Sequence, residues 1–412
     1  MKETKFKDTE IGKIPEEWEI GYFGDVLRTF SAGATPYRGI PDYYNGKINW
    51  ISSGELNYNV IYDTIEHISE EALRNTNLCL HAPGTFLMAI TGLEATGTRG
   101  KCAFVGAPSA TNQSCLAING TNKMDIKYLY WYYRMYGDYL AFKYSQGTKQ
   151  QSFTATIVKN LPITYPKQVI EQHHIASALT SIDNLIASLG KLIEKKKNIK
   201  QGAMQQLLTG KTRLKGFTEP WVYRKISEIA TTSSGGTPSR SIPNYYYGDI
   251  KWFTTTELKD NYLYDSVEHI TREALNNSSA KMFSANTILM AMYGATIGKL
   301  GVLKEPSTTN QACCAIKCND IVEIFLFYIL LYNRKSIIEK GCGAGQPNIS
   351  QAIVNELSFL VPPCEKEQQA IATILTKMDD EITALEAKRA KYEAIKQGMM
   401  QQLLTGKIRL IS

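Results

Sequence analysis

Residues 201–214 read QGAMQQLLTGKTRL, and residues 397–410 read QGMMQQLLTGKIRL, so the two stretches differ at only two positions. Upstream of each stretch, apolar residues are spaced alternately four and three apart. This heptad spacing is typical of a long helix that packs along another helix. We therefore expect two long helices with a shared interface that comprises Ile175, Leu179, Ile182, Ile186, Leu189, Ile193, Ile371, Leu375, Met378, Ile382 and Leu385.

Helix-breaking residues mark the ends of both predicted helices. Pro166 precedes the first helix, Pro363 precedes the second, and a glycine follows each at the C-terminal cap position. Each helix then has about 40 residues and a length of about 60 Å. The first helix is basic towards its C-terminal end, at residues 195–197, and the second is acidic in its N-terminal half, at residues 379–381. A single charge run usually marks a solvated face, but this segregation of sign favours an antiparallel pair.

Each helix follows a segment that is also repeated. Residues 31–50 read SAGATPYRGIPDYYNGKINW, and residues 233–252 read SSGGTPSRSIPNYYYGDIKW. The N-terminal KIPEEWEI also resembles GFTEPWVY after the first helix, so the repeat is nearly circular. The sequence therefore predicts two modules and two helices. Their expected boundaries are 1–165 for the first module, 166–210 for the first helix, 211–361 for the second module and 362–412 for the second helix.

The composition is that of a globular protein, with 43% hydrophobic residues. The longest apolar stretch, residues 324–332, is far shorter than the roughly 20 residues of a spanning helix. Residues 1–10 lack the apolar core of a signal peptide, and we expect a cytoplasmic protein. The cysteines near residue 314 lack zinc-site spacing and are interpreted as small buried hydrophobes. The net charge of +7 permits a polyanionic partner without requiring one.

Motifs for catalysis are absent or incomplete. The Asn/Asp-Pro-Pro-aromatic turn of amino-methyltransferases does not occur. A PD…(D/E)xK nuclease needs two acids and a lysine around a metal. The first copy has Asp42 but no such lysine, whereas the second has Glu257 and Lys259 but no first acid. His67 and His269 occupy equivalent positions and are interpreted as structural. We therefore expect no enzyme and no metal or cofactor in this chain.

Jointly, the helix ends, the motifs GGTPSRS, TNQACCAI and GAGQPNIS, and the circular repeat resemble the specificity subunit of type I restriction-modification systems. The resemblance covers essentially the whole chain. It implies an α+β fold, with two tandem target recognition domains of mixed α/β structure and two long antiparallel helices that form a coiled coil, in a pseudo-twofold circular repeat. It also implies a non-catalytic DNA-recognition subunit, in which each module reads one half of a bipartite site.

The same resemblance implies the partners of the chain. These are double-stranded DNA, two methyltransferase subunits that dock on the spacer helices and bind S-adenosylmethionine, and motor and nuclease subunits that use ATP and Mg²⁺. No membrane is expected among them.

DNA reading requires hydrogen-bonding side chains at base edges and positive or neutral donors at phosphates. Loops with such side chains occur at equivalent places in both modules, and Gly33 and Gly235 beside the first loop are expected to let DNA approach closely. For Arg38 and Arg240, a local salt bridge is an equally good interpretation. The candidates are Thr35, Tyr37, Arg38, Lys47, Asn49, Thr96, Arg99, Lys101, Lys149, Gln150, Gln151, Thr237, Ser239, Arg240, Lys251, Tyr293, Thr296, Lys299, Gln346 and Asn348.

The two copies differ at several of these positions, including Tyr37 against Ser239 and Asn49 against Lys251. Shared positions should maintain the common scaffold, so the differences should carry specificity. We hypothesise two related but unequal half-sites separated by a fixed gap.

Two other classes of function also fit part of the sequence. One is the recognition portion of a fused type II enzyme that acts with a nuclease encoded elsewhere. The other is a structural coiled-coil scaffold without a DNA role. Only the specificity subunit explains two complete modules without a catalytic motif.

Overall fold

The computed structural model describes residues 5–9, 12–95, 97–147, 149–341 and 348–411. The chain forms two compact units. The first comprises residues 1–190 and 388–412, and the second comprises residues 191–387. Each unit therefore contains one module together with a part of each long helix.

The first unit contains strands β1 to β12 and helices α1 to α5. The strands are β1 Phe6–Thr9, β2 Gly12–Pro15, β3 Trp18–Tyr22, β4 Arg28–Ala32, β5 Ile48–Ile51, β6 Val60–Ile61, β7 His67–Ile68, β8 Phe86–Ala89, β9 Cys102–Val105, β10 Ser109–Thr111, β11 Cys115–Asn119 and β12 Pro162–Pro166. The helices are α1 Phe23–Val26, α2 Glu70–Asn75, α3 Ile126–Tyr144, α4 Ala155–Lys159 and the first part of α5 Val169–Leu207.

A five-stranded sheet in the order β4-β11-β8-β9-β6 forms the centre of the first module. Its pairs are antiparallel except for the parallel pair of β6 and β9. A three-stranded sheet in the order β10-β5-β7, whose strands are interspersed along the chain with those of the first sheet, has one parallel and one antiparallel pair. The module is thus a mixed α/β structure.

The central strands are buried on both faces, which explains their continuous apolar sequence. All four residues of β8, FLMA, are buried. On one face, Phe86 packs with Trp131 and Tyr133 of α3. On the other face, Leu87 packs with Ile51 of the three-stranded sheet. Full burial of such side chains stabilises the module by about 1.5–3 kcal/mol each.

The second unit repeats this arrangement with strands β13 to β22 and helices α6 to α11. The strands are β13 Val222–Lys225, β14 Ala230–Ser234, β15 Ile250–Phe253, β16 Asn261–Leu263, β17 Glu268–Ile270, β18 Ile288–Ala291, β19 Leu300–Leu303, β20 Thr308–Thr309, β21 Cys313–Cys318 and β22 Ser358–Val361. The helices are α6 Ile226–Ile229, α7 Arg272–Asn276, α8 Glu323–Tyr332, α9 Arg334–Gly341, α10 Gln351–Glu356 and α11 Glu365–Leu403. The sheet orders, β14-β21-β18-β19-β16 and β17-β15-β20, match those of the first unit.

Segments of the two long helices pack together within each unit. In the first unit, Leu179 belongs to the same buried cluster as Leu403, and Lys396 pairs with Asp183 at 2.8 Å. In the second unit, Lys196 pairs with Glu381 at 2.6 Å, and Lys200 pairs with Asp379. The predicted interface residues are buried except Met378 and Leu385, which are partly buried.

The repeated stretch at the helix ends has a role that the sequence did not suggest. Arg409, near the chain end, makes a two-point ion pair with Glu171 at the start of α5, with N–O distances of 2.5 and 2.7 Å. Arg213 pairs with Glu367 at the start of α11 in the same way, at 2.7 and 2.8 Å. The side chain of Glu171 is 1% exposed and that of Glu367 is 0% exposed. Each arginine therefore ties a helix end to the start of the other helix inside one unit.

Two cysteines of β21 are buried. Cys313 and Cys314 are buried and free, and burial raises the pKa of each thiol to about 12. Among the described residues, no group of three or more His, Cys, Asp or Glu side chains is placed to hold a metal ion. No helix in the described part of the chain is long and apolar enough to cross a membrane.

Candidate nucleic-acid interface

The first candidate loop, residues 35–38, follows β4 and lies against β10. A Cβ on Gly33 would be 1.8 Å from the carbonyl oxygen of Thr111, and one on Gly235 would be 2.1 Å from that of Thr309. These glycines are therefore required by the close approach of two segments of the same module. The expectation that they make room for DNA was wrong, because the space that they leave is filled by the module itself.

The threonine of each first loop contacts a glutamine from the TNQ motif. Thr35 Oγ1 donates to Gln113 Oε1, and Thr237 Oγ1 donates to Gln311 Oε1. Both glutamines are exposed. The preceding Asn112 accepts a bond from the Ser114 amide at 3.0 Å and shapes the turn. The glutamines thus place hydrogen-bonding groups at the surface beside the first loop, while the asparagine is structural.

The two loop arginines make the same local salt bridge in both modules. Arg38 makes a two-point contact with Glu66, at 2.5 and 2.9 Å, and lies over the ring of Tyr44 at 4.2 Å. Arg240 and Glu268 repeat this contact at 2.5 and 2.8 Å. The hydrogen bonds from the guanidinium groups lower the pKa of both carboxyl groups. About half of each arginine side chain remains exposed, so the charge is neutralised locally although the group can still be reached.

Asn49 and Lys251 occupy equivalent positions and make equivalent contacts. Asn49 Nδ2 donates to the Tyr62 carbonyl at 3.0 Å, and Asn49 is only 8% exposed. Lys251 Nζ donates to the Tyr264 carbonyl at 2.5 Å and pairs with Glu305 at 2.8 Å. Both side chains thus support a neighbouring loop of their own module.

Among the described residues, the side chains of Tyr37 and Lys47 make no hydrogen bond or ion pair, and Ser239 makes one hydrogen bond. Tyr37 is 72% exposed and Lys47 is exposed. Ser239, the counterpart of Tyr37, shares a hydrogen bond with the hydroxyl of Ser241 at 2.8 Å. At this place the two modules therefore present different surfaces on the same backbone.

Two candidate loops distant in sequence come together in each module. In the first, Thr91 and Ser152 form a backbone bridge, and the Phe153 amide donates to the Ile90 carbonyl at 2.8 Å. In the second, Tyr293 and Asn348 form the equivalent bridge. The structure thus unites the loop after the buried β8 or β18 strand with the polar segment before the following short helix.

Charged residues in these loops pair with acids or amides of their own module. Arg99 bonds Asp138 at 2.7 Å, and Lys101 Nζ donates to Asn57 at 2.8 Å. In the second module, Lys299 pairs with Asp260 at 3.1 Å. These contacts fix the loops and reduce the charge available for phosphates.

The other residues of this loop pair differ in exposure. Lys149, Gln150, Tyr293 and Asn348 are exposed, whereas Gln151 and Thr296 are partly buried. The backbone N–H of Gln151 donates to the Glu94 carboxylate at 2.9 Å. Thr96 and Gln346 lie outside the described residues.

The sequence did not single out the loops of residues 62–67 and 264–269, which we call the tip loops. Each is connected to a candidate residue, through Arg38–Glu66 and Asn49–Tyr62 in the first module. His67 bonds Asp63 at 2.9 Å within the first tip loop, and the second tip loop repeats this contact. The sequence signals were the equivalent His67 and His269, which were interpreted as structural, and the apolar residue Ile65 or Val267 two positions earlier.

The chain is similar to known proteins over almost all of its length. A family described as the type I restriction modification DNA specificity domain matches residues 15–200 and 218–397. The type I restriction enzyme MjaIX specificity subunit of Methanocaldococcus jannaschii is 32% identical over 430 residues, which cover 99% of this chain and 97% of that protein. The MjaVIII specificity subunit of the same organism is 26% identical over 440 residues, with 99% and 97% covered.

Among solved structures, the crystal structure of a type I restriction-modification S subunit from M. genitalium is similar, with a TM-score of 0.64 and 16% sequence identity. The match covers 94% of this chain and 96% of that one. At this identity the likeness concerns the fold, which both chains share over nearly their full length.

Proposed function

Because this chain belongs to the family of type I restriction-modification DNA specificity subunits, as its sequence predicted, we propose that each of its two modules reads one half of a bipartite DNA site. Proteins of this family are non-catalytic, and the chain is a recognition subunit rather than an enzyme. The proposed target recognition domains are residues 1–165 and 211–361. The proposed spacer helices are residues 166–210 and 362–412.

The proposal of two unequal half-sites rests on the different surfaces of two modules that share one fold. The two modules share strand order and the internal contacts of their loops, as in the pairs Arg38–Glu66 and Arg240–Glu268. At the surface they differ, because exposed Tyr37 is replaced by a serine and exposed Lys47 by an aspartate. The same backbone can thus be held against DNA in both modules while different side chains meet the bases.

The remaining candidates are proposed to differ in role. The exposed Lys149 and Gln150, with their neighbours in the paired loops, are suited to phosphate and base contacts. Arg99 and Lys101 already bond their own module, and we propose that they position loops that contact DNA. Asn49 and Lys251 bond the carbonyl groups of Tyr62 and Tyr264, and we propose that they hold those loops in place rather than contact DNA themselves.

We further propose that the long helices form an antiparallel coiled coil that sets the distance between half-sites. Within the second unit, the late part of α5 pairs with the early part of α11, through Lys196–Glu381, Lys197–Glu386 and Lys200–Asp379. Each helix has 39 residues, which corresponds to about 60 Å. Under this proposal the two modules are related by a pseudo-twofold repeat.

A partner is proposed to dock on the outer face of the helices. Leu192 and Ile199 of α5, both in the second unit, are seven residues apart and are 38% and 47% exposed. This stripe lies outside the buried seam and is suited to a further helix. We assign it to the two methyltransferase subunits, which would carry S-adenosylmethionine, whereas motor and nuclease subunits would use ATP and Mg²⁺.

Methylome sequencing of cells that express the chain with its methyltransferase tests the proposal. We expect methylated adenines in two different short sequences separated by a gap of constant length. An exchange of residues 1–165 for the corresponding module of a relative should change one half of the site only. A single uninterrupted palindrome would contradict the proposal, and so would DNA binding that does not weaken steeply with salt.

A further inference from the structure

The tip loops carry the two most exposed large apolar side chains among the described residues. Ile65 is 86% exposed and Val267 is 84% exposed. Tyr62 and Tyr264, three residues earlier, are 69% and 66% exposed. A single exposed apolar side chain is common on protein surfaces. The same exposure at equivalent positions of two modules indicates a function common to both.

The exposure of these side chains and their equivalent positions in both modules limit what the loops can contact. Because Ile65 and Val267 are exposed, they contribute little to the cores of their modules. Because both are β-branched aliphatic residues on matching loops, they are poorly suited to distinguish two unequal half-sites. They should therefore contact something that meets both modules in the same way.

Both tip loops are held rigidly in the exposed conformation. The Ile65 amide donates to Glu55 at 3.0 Å, and Glu55 also accepts bonds from the amide and hydroxyl of Ser52 at 2.8 Å. The buried Thr64 hydroxyl donates to the Glu66 carbonyl at 2.7 Å.

The second module repeats this support. The Val267 amide donates to Glu257 at 2.8 Å, and the Ser266 hydroxyl donates to the Glu268 carbonyl at 2.7 Å. Since the loops are ordered before binding, little entropy is lost when a partner covers their apolar tips.

The charge of the tip loops disfavours DNA as the contact. The side chain of Asp63 is 82% exposed, and that of Asp265 is 71% exposed. Hydrogen bonds within the loop lower the pKa of both carboxyl groups, chiefly from His67 in the first loop and from the Ser266 amide in the second. The neighbouring Arg38 is neutralised by its glutamate. An ionised carboxylate beside the tip would repel phosphates, whereas it suits a basic protein surface.

We propose that each tip loop is a docking knob for one copy of the same protein partner. The partner surface would hold an apolar pocket for Ile65 or Val267, bordered by a lysine or arginine that faces Asp63 or Asp265. This proposal rests on the proposed function, which provides such a partner in two copies, namely the methyltransferase subunit. It adds a contact on each module to the proposed docking stripe on the helices.

The test titrates the full chain with the methyltransferase subunit of the same system and counts bound copies by native mass spectrometry. The double variant Ile65→Ala with Val267→Ala should bind each copy at least about tenfold more weakly. Either single variant should weaken one of the two copies only. As a matched control, Ile65→Val with Val267→Ile exchanges the two tips and should bind as the wild type does. Unchanged urea midpoints would establish that all variants are folded.

An unchanged titration of the folded double variant would overturn the proposal. So would a double variant that assembles normally but binds duplex DNA more weakly, because the tips would then be DNA contacts. A wild-type chain that binds DNA in a salt-dependent manner but no methyltransferase would refute docking altogether. A chain that binds neither would refute the proposed function itself.

Discussion

Arg409→Ala is expected to destabilise the first unit strongly. Arg409 reaches Glu171 through two hydrogen bonds, at 2.5 and 2.7 Å, and its side chain is only 11% exposed. The carboxylate of Glu171 is 1% exposed, so truncation of the arginine leaves a buried charge without its counter-ion. The second contact of Arg409, to Glu17 at 3.0 Å, involves an exposed carboxylate and contributes little.

The expected loss follows from the burial of this pair. Removal of one partner of a buried ion pair typically costs about 3–5 kcal/mol. For a unit of roughly 200 residues, each kcal/mol lowers the melting temperature by about 2–4 °C, so the variant should melt about 6–20 °C lower. The double variant Glu171→Leu with Arg409→Met removes both charges and retains apolar volume. It should therefore recover most of the stability.

Urea unfolding combined with amide hydrogen exchange can measure this effect. In Arg409→Ala, exchange should accelerate in residues 1–190 more than in residues 191–387. The equivalent Arg213→Ala should act on the second unit and should have a smaller effect, because Arg213 is 27% exposed. A loss below about 1 kcal/mol for Arg409→Ala, or an equal loss in the double variant, would refute the reasoning.

Three further predictions concern the helices and cores. Cysteines at Lys196 and Glu381, whose side-chain ends lie 2.6 Å apart, should be joined by a short bis-maleimide crosslinker, whereas cysteines at Lys196 and Glu367, displaced by about 21 Å along α11, should not; electrophoresis after crosslinking would decide this, and equal crosslinking of both pairs would refute the antiparallel pairing. Burial raises the pKa of Cys313 to about 12, so the unfolded chain alone should lose this proton above pH 9, and stability should fall by about 1.4 kcal/mol per pH unit from there to pH 12. Between pH 9 and 12, the urea midpoint of Cys313→Ala should fall less steeply with pH than that of the wild type. An identical fall would show that the Cys313 thiol does not cause the alkaline loss of stability. Phe86→Ala in the fully buried β8 strand should lower the free energy of unfolding by about 3–5 kcal/mol. A loss of less than about 1 kcal/mol, measured by calorimetry, would show that the neighbouring side chains close the space and leave no cavity.

The repeat in the sequence predicted two modules of the same topology, and the sheets of the two units have matching strand orders, because similar sequences adopt similar folds. The proposed domain boundaries stay predictions. The heptad positions also predicted burial correctly for Ile175 and Ile371, since periodicity along a helix is local information. The match to the family confirmed the resemblance that the helix ends and module motifs had indicated. The contacts of the candidate site residues with DNA stay predictions.

The partners of the charged site residues were not predictable in the same way. Arg38 pairs with Glu66, 28 residues away, and Arg99 pairs with Asp138, 39 residues away. Such pairs depend on where strands meet in space, and composition alone allowed either a free DNA-binding arginine or a salt bridge. The position of Gly33 against Thr111 is a similar case, since only the fold shows which backbone the missing Cβ accommodates.

The sequence by itself determined the repeat, the two long helices and the family, because these depend on residue spacing and on duplicated motifs. Tertiary structure decided which polar side chains remain available at the surface. It paired Arg409 with Glu171, turned Asn49 inward and exposed Ile65. The physical reason is that burial and ion pairing are set by contacts between segments distant in the chain, and no local pattern encodes those contacts.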